Sequence, residues 1–269
     1  MAFATAGARG FDVRQDSEKW QDFERHRMTP CTSLAEAVFG AEIVLSLVTA
    51  DQALAAAKSA APHLAPNALW LDLNSVAPET KRAAAACVET AGARFVDVAV
   101  MAPVLPKRFE APLLIAGPHA EAAMGGLSTM GFTTVRTVGG PVGSAASVKM
   151  IRSVMIKGIE ALSAECALAA DAAGVLPHVI GSLNASGAPA DWAKRLDYNL
   201  DRMMVHGTRR AAEMAEVSAT LDSLGAGSSM SRACAEWQGE IGSLGLVPPS
   251  GLDAKLALLK PAHSQEQAA

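Results

Sequence analysis

From Gly139 to Lys157 the chain reads Gly-Gly-Pro-Val-Gly-Ser-Ala-Ala-Ser-Val-Lys-Met-Ile-Arg-Ser-Val-Met-Ile-Lys, a glycine-rich turn that delivers Lys149 to the first turns of a long, alanine-rich helix. A side-chain amine held there can give or take a proton, which is the chemistry this segment offers. At helical spacing Lys149, Arg152, Ser153 and Ile156 share one face, and that face can line a cleft. By itself a helix lysine is most often solvated. Its meaning therefore rests on what is built before it.

What is built before it is an alternation of strands and helices. Glu42–Thr49 and Ala68–Ser75 are apolar runs of strand length, the second ending in polar residues. Such near-continuous runs predict strands buried on both faces. Asp51–Leu64, apolar at helical intervals, lies between them; Pro78–Ala91 follows as a helix with proline in its first turn and Gly92 just past its end. Arg94–Met101, Pro112–Gly117 and Thr133–Val138 continue as strands, with Glu121–Met130 a short helix between the last two. This order predicts an α/β domain on a parallel sheet, which takes ligands beyond the carboxyl ends of its strands.

From Gly143 to about Leu259 strand signals vanish. Helical periodicity covers Ala145–Ala173, Pro177–Leu183, Ala188–Val205, Arg209–Leu224 and Ser229–Leu244, with Gly174, Gly187, Gly207, Gly225 and Gly245 at the breaks. The second half reads as an all-α domain and Pro261–Ala269 as a frayed tail, so the expected division is 1–141, 142–260 and 261–269. The first of these helices is long and largely apolar. It is expected to be buried on several sides, partly by a second subunit, which makes the chain a homodimer.

Composition narrows the classes of function. The chain has 269 residues, 50% of them hydrophobic, and a formal charge of −4, enough for two domains that each bury a core. It has no basic stretch to serve as a footprint for nucleic acid. No apolar run approaches the ~20 residues of a membrane span, and the N-terminus lacks a secretory signal pattern, so a cytoplasmic location is expected. Cys31, Cys87, Cys166 and Cys234 stand far apart and read as reduced core thiols. The histidines are equally scattered, and no metal site is expected.

Three segments carry a family resemblance: Asp72-Leu-Asn-Ser-Val-Ala-Pro78, Phe95-Val-Asp-Val-Ala-Val-Met-Ala-Pro103 and Gly140-Pro-Val-Gly-Ser-Ala-Ala-Ser-Val-Lys149. In order and spacing they resemble the β-hydroxyacid dehydrogenase superfamily, which includes 3-hydroxyisobutyrate and 6-phosphogluconate dehydrogenases. Val-Met-Ala-Pro, Met-Ile-Arg-Ser-Val-Met-Ile-Lys-Gly and Arg-Arg-Ala-Ala-Glu-Met look most like a bacterial branch with a phosphogluconate-dehydrogenase-like helical C-terminal domain. The resemblance covers nearly the whole chain. It implies a Rossmann-type domain that binds NAD or NADP, a helical domain that often dimerises, and hydride transfer between nicotinamide and a hydroxy acid or related carbonyl compound.

Carried over position by position, the resemblance makes Lys149 the general acid/base. To act as a base near neutrality it would need burial or neighbouring positive charge, which Arg152 and Lys157 are placed to supply. Val48, Thr49, Asn74 and Ser75 fall where family members contact the nicotinamide half of the cofactor. Asp12 falls where an acid binds the ribose hydroxyls and favours NAD, with Arg14 nearby to receive the phosphate of NADP. Cofactor choice stays open between the two.

Three departures from the family pattern matter. Met101-Ala102-Pro103 stands where hydroxyacid members carry Ser-Gly-Gly against the substrate carboxylate. A thioether is a weak acceptor and proline has no N–H, so Met101 and Ala102 are expected to face a substrate other than a small 3-hydroxyacid. In the lysine helix Arg152 and Ser153 replace residues that are commonly Asn or His, and an arginine can grip carboxylate or phosphate with both arms. The third departure is at the start, where Gly-x-Gly-x-x-Gly is missing. Met1–Gly7 reads as the end of the helix after that loop and Ala8–Asp12 as the second strand. The domain is thus expected to lack its first strand and phosphate loop, as an incomplete reading frame would, and its sheet to be open at the centre. Two alternatives share the resemblance. An imine reductase has the same architecture but commonly replaces the lysine; a catalytically silent binding or scaffold protein would need no phosphate loop.

Overall fold

The computed structural model describes residues 7–185, 191–225 and 227–266, with side chains as far as Lys260. Met1–Ala6, Gly187 and Ala188, which enter the expectations above, lie outside the described residues. The chain divides into two units, Met1–Met150 and Ile151–Ala269.

The first unit opens with β1 (Arg9–Gly10), α1 (Ser17–Arg25), β2 (Thr29–Pro30) and α2 (Leu34–Val38). β1 and β2 run parallel in a two-stranded sheet of their own. There follow β3 (Ile43–Ser46), α3 (Ala53–Ala60), β4 (Leu69–Asp72), α4 (Pro78–Thr90), β5 (Arg94–Val100), α5 (Val104–Lys107), β6 (Leu113–Ala116), α6 (Ala120–Thr129) and β7 (Val135–Thr137). These strands form a five-stranded sheet in the order β3-β4-β5-β6-β7. Successive strand side chains point to opposite faces, and both faces are covered. Trp70 and Phe95 pack on one side with Ala57 and Ala60 of α3 and Ala84 and Val88 of α4. Leu71, Val96, Val98, Leu113 and Ile115 pack on the other with Ala123 and Leu127 of α6. The two-sided burial is why these strands are apolar without alternation.

One feature of the sheet corrects the sequence reading. β6 runs antiparallel to β5, where a parallel strand was expected. Only the four-residue α5 and a single 3-10 turn, Arg108–Glu110, lie between them, whereas a parallel return is usually carried by a full crossover helix. The chain folds straight back instead, closed by the Met101 N–H, which donates to the Pro112 carbonyl at 2.9 Å.

α7 (Ser144–Ala172) passes from the first unit into the second, which continues with α8 (Leu176–Ala185), α9 (Trp192–Ser223), α10 (Ser229–Ser243) and α11 (Leu252–Glu266). Gly174, Gly225 and Gly245 stand at positive φ past the ends of α7, α9 and α10, as helix-ending glycines do. Gly207 does not. The two helices expected on either side of it are the single α9, which starts after Asp191, whose carboxylate accepts from the Lys194 N–H. A Cβ on Gly207 would come within 2.3 Å of the Gln238 carbonyl oxygen and 2.7 Å of the Gly242 Cα. The glycine therefore lets two helix backbones touch and interrupts neither. α11 also extends through Pro261–Glu266, so these residues continue a helix and are not the frayed tail that the sequence suggests. Among the described residues no helix is long and apolar enough to cross a membrane.

Candidate active site

At the carboxyl ends of β3 and β4 the chain turns from apolar to polar. Asn74 accepts the Val48 N–H through Oδ1 at 2.8 Å and donates through Nδ2 to the Ser46 hydroxyl at 2.9 Å. Its side chain is buried and straps the two strand ends together. Leu47, Val48 and Thr49 are left exposed just past β3. Ser75 is half-buried, and its hydroxyl oxygen is buried with no hydrogen-bond partner among the described residues. An apolar rim with an unspent hydroxyl suits a flat ring with a polar edge.

The lysine helix is fixed to the same sheet. Gly143 takes a φ of 99°, a turn that glycine makes at no steric cost. The N–H groups of Gly143 and Ala146 then donate to Asp97 Oδ2 at 3.0 and 3.1 Å. Asp97 lies in β5 and caps α7 from outside the helix, satisfying two of the donors every helix start leaves open. Ala145 packs with Ala99 and Ala116, and Met101 lies against that cluster. Lys149 is one turn beyond Ala145 on the same face and is half-buried. Met101 is thereby set beside the face that carries Lys149, with Ala102 half-buried next to it.

Behind these residues lies a charge cluster that the sequence reading missed. Lys81, in the first turns of α4, is fully buried and spends all three amine protons: on the Asp72 carbonyl at 2.6 Å, on Asp72 Oδ1 at 3.0 Å and on the Val98 carbonyl at 3.4 Å. Asp97 Oδ1 stands 3.6 Å from the same amine. Asp72 and Asp97 are register partners on β4 and β5. The signal that could have found them is an aspartate inside each of two apolar runs, Leu-Trp-Leu-Asp and Phe-Val-Asp-Val, since a buried carboxylate must find a cation.

The remaining expected residues are more dispersed. Asp12 follows β1, accepts the Arg14 N–H at 2.9 Å and pairs with Lys19 at 3.4 Å. The Arg14 guanidinium is spent on Asp16 at 3.0 Å, which raises its pKa. Arg152 and Ser153 fall in the second unit, Arg152 exposed and Ser153 buried. Lys157, expected to lend positive charge to Lys149, is instead paired with Glu213, which Arg209 also contacts. Burial pushes the Lys157 amine below its ordinary range, and Glu213 opposes that shift. Among the described residues no three His, Cys, Asp or Glu side chains gather as metal ligands would.

Comparison with known proteins agrees with this geometry. Residues 3–131 match the NAD binding domain of 6-phosphogluconate dehydrogenase, and residues 170–241 match a domain of unknown function, DUF1932. The solved structure of a conserved hypothetical protein from Sinorhizobium meliloti 1021 is 36% identical, with a TM-score of 0.75 over 95% of this chain and 88% of that one. The chain belongs to the β-hydroxyacid dehydrogenase superfamily. A conserved protein described as structurally similar to 3-hydroxyacid dehydrogenases is 26% identical over 89% of both chains, with a TM-score of 0.68. The fold is shared by 3-hydroxyisobutyrate dehydrogenase of Mycobacterium tuberculosis, 14% identical over 94% of this chain and 91% of that one, with a TM-score of 0.71. The cofactor class of this domain is NAD or NADP, and the residues present fit it. Exposed Val48 and Thr49, the unpartnered Ser75 hydroxyl and the half-buried Asp12 carboxylate are groups such a cofactor can engage.

Proposed function

We propose that this member of the superfamily moves hydride between the nicotinamide of NAD or NADP and a hydroxy acid or related carbonyl compound, with Lys149 as the general acid/base. The observation that carries the reading is the anchoring of α7. The helix that bears Lys149 is held by Asp97 to the sheet whose strand ends carry Val48, Thr49, Asn74 and Ser75. The nicotinamide ring supplies the hydride acceptor or donor. Val48 and Thr49 form its apolar seat, Asn74 keeps the Val48 N–H turned inward, and the Ser75 hydroxyl offers a hydrogen bond.

Lys149 handles the proton. In reduction its ammonium form gives a proton to the carbonyl oxygen; in oxidation its amine takes the hydroxyl proton. Met101 and Ala102 wall the substrate side, where Met101 cannot donate because its N–H is spent on Pro112, and Pro103 has none to offer. Arg152, exposed on α7 with Ser153 next to it, offers a two-armed grip for an acid group. Retention of the lysine favours carbonyl over imine chemistry.

Titration of the protein with NADH and with NADPH, followed by fluorescence, is the first test. Binding of neither would leave a binding or scaffold role in its place. Where turnover of a hydroxy acid or its oxo counterpart is found, Lys149→Ala should lower it by roughly 100-fold or more while cofactor affinity stays nearly unchanged. Equal turnover in the variant would remove Lys149 from the chemistry.

A further inference from the structure

The Asp72–Lys81–Asp97 cluster is an expensive way to fill a core. Its three side chains are 0 or 1% exposed, and taking such charges out of water costs about as much as their attraction returns, or more. Asp72 Oδ2 and Asp97 Oδ1 have no hydrogen-bond partner among the described residues. Even the pairing is thus incomplete, and apolar residues of similar volume would serve stability at least as well. What apolar residues would not provide is direction.

The cluster joins two places the reaction needs. The Gly143 and Ala146 N–H groups at the start of α7 donate to Asp97, and Asp97 faces Lys81. Lys81 holds the end of β4 through the Asp72 carbonyl and carboxylate. The same Asp72 Oδ1 accepts the Asn74 N–H at 2.9 Å, and Asn74 holds Val48 and Ser46. One unbroken path of polar contacts runs from the lysine helix to the ends of β4 and β3.

We propose that Asp97 and Lys81 are positioning residues for Lys149: they lock the first turn of α7 to the middle of β5 and the end of β4, and so fix where the amine stands relative to the strand-end residues Val48 to Ser75. This rests on the reading of Lys149 as the working amine and of those strand ends as the cofactor's seat. It gives the buried charges a task that their energetics alone do not.

The test is acetylation of the protein by acetic anhydride, read lysine by lysine by mass spectrometry, with exposed Lys194 (side chain 86% exposed) as the internal reference. Asp97→Ala should change the Lys149-to-Lys194 rate ratio by about fivefold and speed hydrogen exchange at the Gly143 and Ala146 amides by about tenfold, the scale of a lost helix cap. Asp97→Asn keeps an oxygen for the two amides and should restore most of both values; where Asp97→Ala does not fold, Lys81→Met carries the test. Lys81→Met should shift the Lys149 ratio in the same sense as Asp97→Ala, because Asp97 loses its counter-charge. Faster exchange at the two amides with an unchanged Lys149 ratio would overturn the proposal and leave Asp97 a plain helix cap. Repeating the labelling with NADH separates the two readings. Absence of NADH protection at Lys149 counts against the cofactor seat, whereas the cofactor-free ratio still decides whether Asp97 and Lys81 position the amine.

Discussion

At the scale of single residues, burial on the helical unit sets the protonation of Cys234 and Lys157 in opposite senses for stability. Cys234 is 3% exposed, and burial pushes its thiol from 9.0 up to about 11, with Lys157 and Arg210 opposing. The folded chain keeps this proton longer than the unfolded one. The thiol's contribution is therefore present below pH 9.0 and lost as pH rises through about 11. Lys157 has its pKa lowered from 10.5, so its contribution rises with pH toward that value. Both chains of a Cys234→Ala comparison share the lysine effect, which cancels in the difference apart from the attraction between Lys157 and the thiolate that already opposes the thiol's shift. Chemical denaturation at pH 8 and pH 11 should then show wild type losing more stability than Cys234→Ala, by on the order of 2 kcal/mol. Equal losses would remove the thiol as the cause. Legibility at this scale follows the range of the interaction. Lys149 announces itself through the glycine turn beside it, whereas Lys81 looks like any solvated helix lysine until β4 and β5 bring two aspartates to it.

At the scale of elements, the strands were readable because burial on both faces leaves continuous apolar runs, and α4 because Pro78 and Gly92 mark its two ends. What escaped depends on pairing with something distant. The reversal of β6 goes with a connection after β5 that holds no full crossover helix, and α9 runs through Gly207 because α10 lies against it. Gly207→Ala separates local preference from packing. Alanine is the better helix former by about 1 kcal/mol, yet its Cβ would meet backbone atoms of α10 at 2.3 and 2.7 Å. Backbone cannot step aside as a flexible side chain can, so a net destabilisation of about 2 kcal/mol is expected in urea denaturation. Gly125→Ala in α6 is the control. Nothing lies within 4 Å of its added Cβ, so the preference acts alone and should stabilise by about 0.5–1 kcal/mol. A Gly207→Ala that also stabilises would mean that α9 and α10 stand farther apart than described.

At the scale of the whole molecule, the question is what covers α7. Ile151, Met155 and Leu162 are 48, 63 and 53% exposed. With Gly158 they fall at the alternating spacing of four and three that places residues along one seam of a helix. Met155, Gly158 and Leu162 also border a recess of about 240 Å³ floored by Cys234 and Trp237 and flanked by Met230. Apolar side chains gathered in this way mark a contact surface, because scattered ones would leave no continuous seam and no recess. A second copy is the proposed occupant, since the seam from Ile151 to Leu162 is apolar and a two-fold contact would set it against the same seam of its partner. Light scattering should give a dimer mass at micromolar concentration. Met155→Lys would place a charge in the seam and should weaken association by roughly 100-fold or more, because an unpaired ammonium is costly to take out of water. Val13→Lys alters a residue that is 85% exposed in the first unit and should leave the mass unchanged. A wild-type monomer at every concentration would sink the proposal. Dissociation by both variants would show instead that added charge, wherever it lies, drives the copies apart.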